Sequence, residues 1–187
     1  MSEIQDITVL LGSDDTSDSE YIDQLFKLLY KEIKNIASIQ LRKLNPDSVL
    51  SPTVLVNECY LKLHKTEGLN LKNRKHFYCI AAKSMRFYLM DLYKSQFSQK
   101  REGINTVLSL SKLTDEESID IELSALDEAL NELEHIDEDL ARLVELRFFW
   151  GFTLDNIAEI FETSTNKIFQ QWLMAKSLLL NLMEDND

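Results

Sequence analysis

Residues 71–101 read LKNRKHFYCIAAKSMRFYLMDLYKSQFSQKR. The stretch contains neither glycine nor proline, and the pattern predicts one long helix over about 74–98. Eight cations (Lys72, Arg74, Lys75, Lys83, Arg86, Lys94, Lys100, Arg101) stand against one acid, Asp91, giving +7 in a chain whose total is −12. Phe77, Tyr78, Phe87, Tyr88, Tyr93 and Phe97 are interleaved with the charges. Cations can hold phosphates while aromatic faces stack unpaired bases, so one reading is a local nucleic-acid contact. The other is a solvated helix face over a core aromatic stripe. Charge and aromatics alone leave both open.

The same scarcity of breakers extends outward. In 187 residues, proline occurs only at Pro46 and Pro52, and glycine only at Gly12, Gly68, Gly103 and Gly151. With abundant Leu, Glu, Lys and Ile, this predicts an all-α protein. The helical candidates are 20–44, 52–65, 74–98, 125–135, 138–150, 154–161 and 165–183, with no competing strand alternation. Residues 102–124 read as a linker, with Gly103, several Ser and Thr, and the acids Asp115, Glu116, Glu117, Asp120 and Glu122. The expected division is a helical domain over 1–101, an acidic linker over 102–124 and a second helical domain over 125–187. Charge divides with it: residues 1–70 carry −4 and residues 102–187 carry −15.

Several function classes drop out. No apolar run reaches the ~18 residues of a membrane span. The start, MSEIQDITVLLGSDD, lacks the basic residues and cleavage site of a secretion signal, so a cytoplasmic protein with no membrane contact is expected. Cys59 and Cys79 form no CxxC pair and read as inert core thiols. His64, His76 and His135 have no metal-binding spacing. There is no Gly-rich phosphate loop and no nucleophile–base signature. The expectation is no catalytic residue, no metal and no cofactor.

The second domain carries a helix-turn-helix pattern. Leu143, Val144, Leu146, Phe148, Phe149 and Trp150 make one helix strongly apolar, and Gly151 sits where a chain leaves a helix left-handed. Thr153 can cap the next helix, with Ile157, Ala158 and Phe161 facing inward. Ser164 can cap a last helix whose Ile168, Trp172, Ala175 and Leu179 share one face. Two short helices around a tight turn can read DNA. On periodicity alone, a plain helical hairpin fits slightly better.

Three segments bring a family into view. Ser51-Pro52-Thr53-Val54-Leu55-Val56-Asn57-Glu58-Cys59-Tyr60-Leu61-Lys62-Leu63 resembles the QPTALVHEAYLRL segment of one subgroup of bacterial sigma factors, the sigma-70 class of extracytoplasmic-function (ECF) type. Asn73-Arg74-Lys75-His76-Phe77-Tyr78-Cys79-Ile80-Ala81-Ala82 resembles its NRAHFFAIAA, and Val144-Glu145-Leu146-Arg147-Phe148-Phe149-Trp150-Gly151 its VELRFFGG. The likeness runs over about residues 5–184, with the segments in order and at suitable spacing.

The resemblance implies a sigma region 2-like first domain and a region 4-like second domain. It implies core RNA polymerase and promoter DNA as partners. The helix around Val54–Leu63 would dock on the polymerase clamp helices, with Asn57, Glu58 and Lys62 as contacts. The helix from Arg74 onward would melt the minus-10 box and hold one strand. Arg86, Lys94, Lys100 and Arg101 are the phosphate-side candidates, and Arg74 and Lys75 are further DNA-binding candidates; His76, Tyr78, Phe87 and Tyr88 are the base-side candidates, and about half of these aromatics are expected in the core. Asn166, Lys167, Gln170 and Gln171 are the candidates in the second domain.

That second domain departs from the family pattern where DNA contact is concerned. The subgroup's last helix begins like SPRTVKRDWRLARAWL; here it is STNKIFQQWLMAKSLL. Asn166, Phe169, Gln170 and Leu173 stand where the pattern has cations, and Lys167 and Lys176 remain. Glu162 replaces the turn glycine. A domain of −15 is repelled by a polyanion, and each lost phosphate contact removes about 0.9 from the salt slope. The upstream minus-35 contact is therefore expected to be weak. Phe169 and Leu173 instead add apolar surface to a face that should be wet, which fits either a protein-contact face for a regulator or a second copy, or a face covered by the linker or N-terminal helix of the same chain. A sigma-derived regulator without upstream recognition is the alternative reading. A helical module mimicking nucleic acid is a third, opposed by the surviving basic island.

Overall fold

The structure is a computed structural model, and it describes residues 18–44, 51–65, 74–99, 107–109 and 120–184. Among the described residues seven α-helices follow in order: α1 Asp18–Leu44, α2 Pro52–Lys65, α3 Arg74–Gln99, α4 Leu123–Ile136, α5 Glu138–Glu145, α6 Leu154–Ile160 and α7 Thr165–Glu184. The chain is all-α, as its breaker-poor sequence predicts. Two three-residue strands, Val107–Ser109 and Asp120–Glu122, pair antiparallel within the stretch read as a linker. Three residues are too few to give a legible alternation.

Along α1, Ile22, Leu25, Phe26, Leu29, Ile33, Ile36, Ala37 and Leu41 recur at three- and four-residue steps and are all buried. They pack against Leu55, Val56, Cys59 and Leu63 of α2. Each such side chain contributes roughly 1.5–3 kcal/mol on burial. Helix α3 is different, because it is buried on two sides. Phe77, Ala81, Met85 and Leu89 belong to one stripe, and Tyr78, Ala82 and Arg86 to another. The helix lies between the α1–α2 pair and the C-terminal half, so one apolar core runs through both.

The C-terminal half caps its helices from its own sequence. Asp137 accepts from Leu140 N at 3.1 Å to start α5. Thr153 and Asn156 form a reciprocal capping box at α6. Ser164 Oγ accepts from Lys167 N at 3.3 Å at the head of α7. Leu146–Trp150 continues α5 as one turn of π-helix, ended by Gly151 at φ 79°. The wider turn presents two carbonyls to α1, where the buried Gln40 Nε2 donates to Phe148 O at 2.8 Å and Phe149 O at 3.0 Å. That amide joins the two halves of the chain.

Candidate nucleic-acid and partner interfaces

Helix α2 presents a continuous outer stripe. Val54, Asn57, Glu58, Leu61 and Lys62 are exposed, at the i, i+3, i+4, i+7, i+8 spacing of one helix face. Val54 and Leu61, which flank the polar pair, stand 45 % and 43 % in solvent. The opposite face is fixed to α1. Asp23 Oδ1 accepts from Tyr60 Oη at 2.6 Å and lies 2.9 Å from His64 Nε2. The Tyr60 hydrogen bond and His64 hold the Asp23 carboxyl below the usual carboxylate range. This tie sets the rotation of α2 and hence where its outer stripe points.

Helix α3 divides the basic island between two fates. Lys94 is exposed near its C-terminal end. Arg74 begins the helix, while Lys100 and Arg101 lie outside the described residues. Arg86, read from sequence as a phosphate contact, is instead fully buried. Its Nε donates to Asp127 Oδ1 at 2.8 Å, Nη1 to Glu145 Oε1 at 2.9 Å, and Nη2 to Asp127 O and Asn131 Oδ1, both at 2.7 Å. A guanidinium so enclosed offers nothing to a phosphate. Tyr78, read as a base-side residue, is likewise corrected to core: its ring meets Phe152 at 5.1 Å and Trp150 at 5.6 Å, both edge-on.

The remaining base-side candidates are half-buried. His76 lines a small cleft of about 160 Å³ with Cys79, Lys83, Glu134, Glu138 and Arg142. The Phe87 ring carries the Lys62 ammonium 4.5 Å from its centre, linking α2 to α3. Tyr88 lies beside it, and burial pushes its phenol up. Burial also pushes the Cys59 and Cys79 thiols up to about 12, which keeps both unreactive.

Two further island cations end on acids of the C-terminal half. Lys75 Nζ donates to Asp139 Oδ1 at 2.9 Å and lies 4.1 Å from the Phe161 ring centre. Lys83 bonds Glu134. The pairing of Lys75, Lys83 and Arg86 with Asp139, Glu134, Asp127 and Glu145 was not foreseen from the sequence; the only signal was the opposite charge of the two regions.

In the helix-turn-helix, α6 and α7 meet across Phe161–Ser164, with Glu162 left-handed at φ 52°. Thr165 Oγ1 donates to Asp155 Oδ1 at 2.8 Å across the turn. Ile168, Trp172, Ala175 and Leu179 face inward. Asn166, Lys167 and Gln170 are exposed and Gln171 is half-buried. Phe169, Leu173 and Met174 are exposed at 42 %, 45 % and 57 %, so the face that would enter a groove is substantially apolar.

Among the described residues, no group of three or more His, Cys, Asp and Glu side chains could hold a metal ion, and no helix is long and apolar enough to cross a membrane. No curated protein and no solved structure matches the chain. A family model does, over residues 4–185, and its description is ECF sigma factor. The match spans α2, α3 and the helices α6 and α7 alike; the chain belongs to the ECF sigma factor family.

Proposed function

We propose that this protein is a transcription initiation factor that binds core RNA polymerase through the outer stripe of α2 and directs it to promoter DNA, with α3 melting the minus-10 box and holding one strand. At family level the chain is a sigma factor, a class that works by binding energy and performs no covalent chemistry. The observation that carries the α2 assignment is its exposed stripe. Asn57 and Glu58 lie outward between Val54 and Leu61, and the Asp23–Tyr60–His64 tie fixes that orientation. In this reading the region 2-like unit is 1–101, the region 4-like unit is 125–187, and both act in the cytoplasm.

The test is a binding titration of the full chain with core RNA polymerase, alongside Glu58→Lys. Tight binding weakened by the substitution supports the assignment. An absence of binding at any salt concentration removes it. The apolar outer face of α7 favours a second reading at the finer level, a sigma-derived regulator that binds polymerase or a protein partner without upstream-element recognition. Polymerase binding with no upstream-element protection would select it.

A further inference from the structure

Helix α7 carries two apolar stripes. The first, Ile168, Trp172, Ala175 and Leu179, is buried in the core. The second, Phe169, Leu173, Lys176, Leu180 and Met183, runs one position further along, so it lies about 100° round the helix. Its steps alternate four and three residues, the spacing that lines up a seam between paired helices. Phe169 and Leu173 are exposed, while Lys176, Leu180 and Met183 are half-buried. Apart from one lysine the stripe is apolar, and it follows a twenty-residue helix roughly 30 Å long.

We infer that this second stripe is a self-association seam, on which α7 of one copy pairs with α7 of another. Charge selects the occupant. Residues 102–187 carry −15, yet α7 holds only Lys167 and Lys176 against Glu184, a net of +1. The acids that give this half its charge sit on other segments, among them α4, α5 and α6. A basic partner would seek those acids and find none along the stripe, where Asn166, Gln170 and Ser177 are the polar neighbours. Two copies of an acidic chain need a contact free of like-charge repulsion, and α7 supplies one.

The lysine sets the direction. A parallel pair would stack Lys176 on its own copy. An antiparallel, two-fold pair instead sets Phe169 against Leu180 and Leu173 against Lys176, each contact occurring twice. The Lys176 stem then covers Leu173 while its ammonium reaches water. In the same register the exposed Glu184 comes level with Thr165 of the other copy, placing a carboxylate at a helix N-terminus. None of this depends on the polymerase assignment.

The experiment is sedimentation velocity on the full chain from low to high micromolar concentration. The mass should rise from that of one chain, 21.8 kDa, toward twice that. Phe169→Gln with Leu173→Gln changes no charge and should weaken association roughly a hundredfold. Lys176→Leu should tighten it roughly tenfold. For direction, Asn166→Cys and Glu184→Cys chains are mixed and treated with a short bismaleimide; Cys59 and Cys79 are buried. Cross-links should join one variant to the other. Asn166→Cys alone should give none.

A chain that stays monomeric throughout overturns the inference, as an intramolecular cover or a different partner would require. Association untouched by the glutamine pair, or not strengthened by Lys176→Leu, also overturns it. Cross-linking of Asn166→Cys to itself would refute the antiparallel pairing. Polymerase binding, titrated separately, decides the sigma assignment and leaves these outcomes unchanged.

Discussion

Arg86 Nη1 donates to Glu145 Oε1 at 2.9 Å, and the two side chains, fifty-nine positions apart in sequence, are both out of water. Arg86 belongs to the basic helix and Glu145 to the segment that resembles VELRFFGG. The contact therefore joins two stretches that the family resemblance treats as separate units.

Removing one partner of this pair leaves the other as a buried, uncompensated charge. Arg86→Met should destabilise the chain by about 3–5 kcal/mol, read from the urea midpoint at constant slope. The double variant Arg86→Met with Glu145→Met should recover a large part of that loss. An equal loss in both variants would mean that Asp127 and Asn131 carry the interaction.

Gln40 gives a second test of the join. Its amide serves two carbonyls of the π-helical turn, Phe148 O and Phe149 O. Gln40→Leu leaves both without that donor and should cost about 1–3 kcal/mol in chemical unfolding. Gln40→Glu should cost more, because its carboxylate would face two carbonyl oxygens. An unchanged midpoint in Gln40→Leu would show that water takes over the contacts.

Two acids that meet α3, Asp139 and Glu145, have their carboxyls shifted in opposite directions. The Lys75 hydrogen bond, with help from Arg142, holds the Asp139 carboxyl below its ordinary 3.8. Its contribution is present above that value and is lost as pH falls through the depressed one. Burial pushes the Glu145 carboxyl above its ordinary 4.5, against the pull of Arg86. Its contribution is present below 4.5 and is lost as pH rises through the raised value. Urea midpoints followed from acid to neutral pH should therefore show a shallower acid limb in Asp139→Asn. Glu145→Gln should lose the decline on the higher side.

Helix positions were legible because they depend on local signals. Gly151, Thr153 and Ser164 mark ends that any reader of turn chemistry can place, and each does the work its residue type implies. The fate of Arg86 was not legible. A cation among aromatics reads the same from sequence whether its neighbour is a phosphate or the carboxylates of Asp127 and Glu145, which arrive from another part of the chain. Tyr78 is hidden for the same reason, since its covering rings come from Trp150 and Phe152. The π-helical turn had no local mark either, as Leu146–Trp150 reads as ordinary apolar helix.

The outer face of α7 offers the sharpest test of what the second half now does. Asn166, Phe169, Gln170 and Leu173 are all exposed, so arginine at each can reach solvent without repacking Ile168, Trp172 or Ala175. If only the cations have been lost, the fourfold substitution Asn166→Arg, Phe169→Arg, Gln170→Arg, Leu173→Arg should restore duplex binding. The slope of log affinity against log salt should steepen by about 0.9 for each arginine that reaches a phosphate. Gel-shift titrations on an upstream-element duplex at several salt concentrations would measure both. The acids of the same half oppose the gain, and added salt screens that repulsion along with the attraction. The comparison must therefore be with wild type at each salt concentration. A variant that folds, shows its four new charges by isoelectric shift and still ignores duplex DNA would mean that this helix surface has been rebuilt for a protein. Phe169, Leu173 and Met174 would then be the residues to follow.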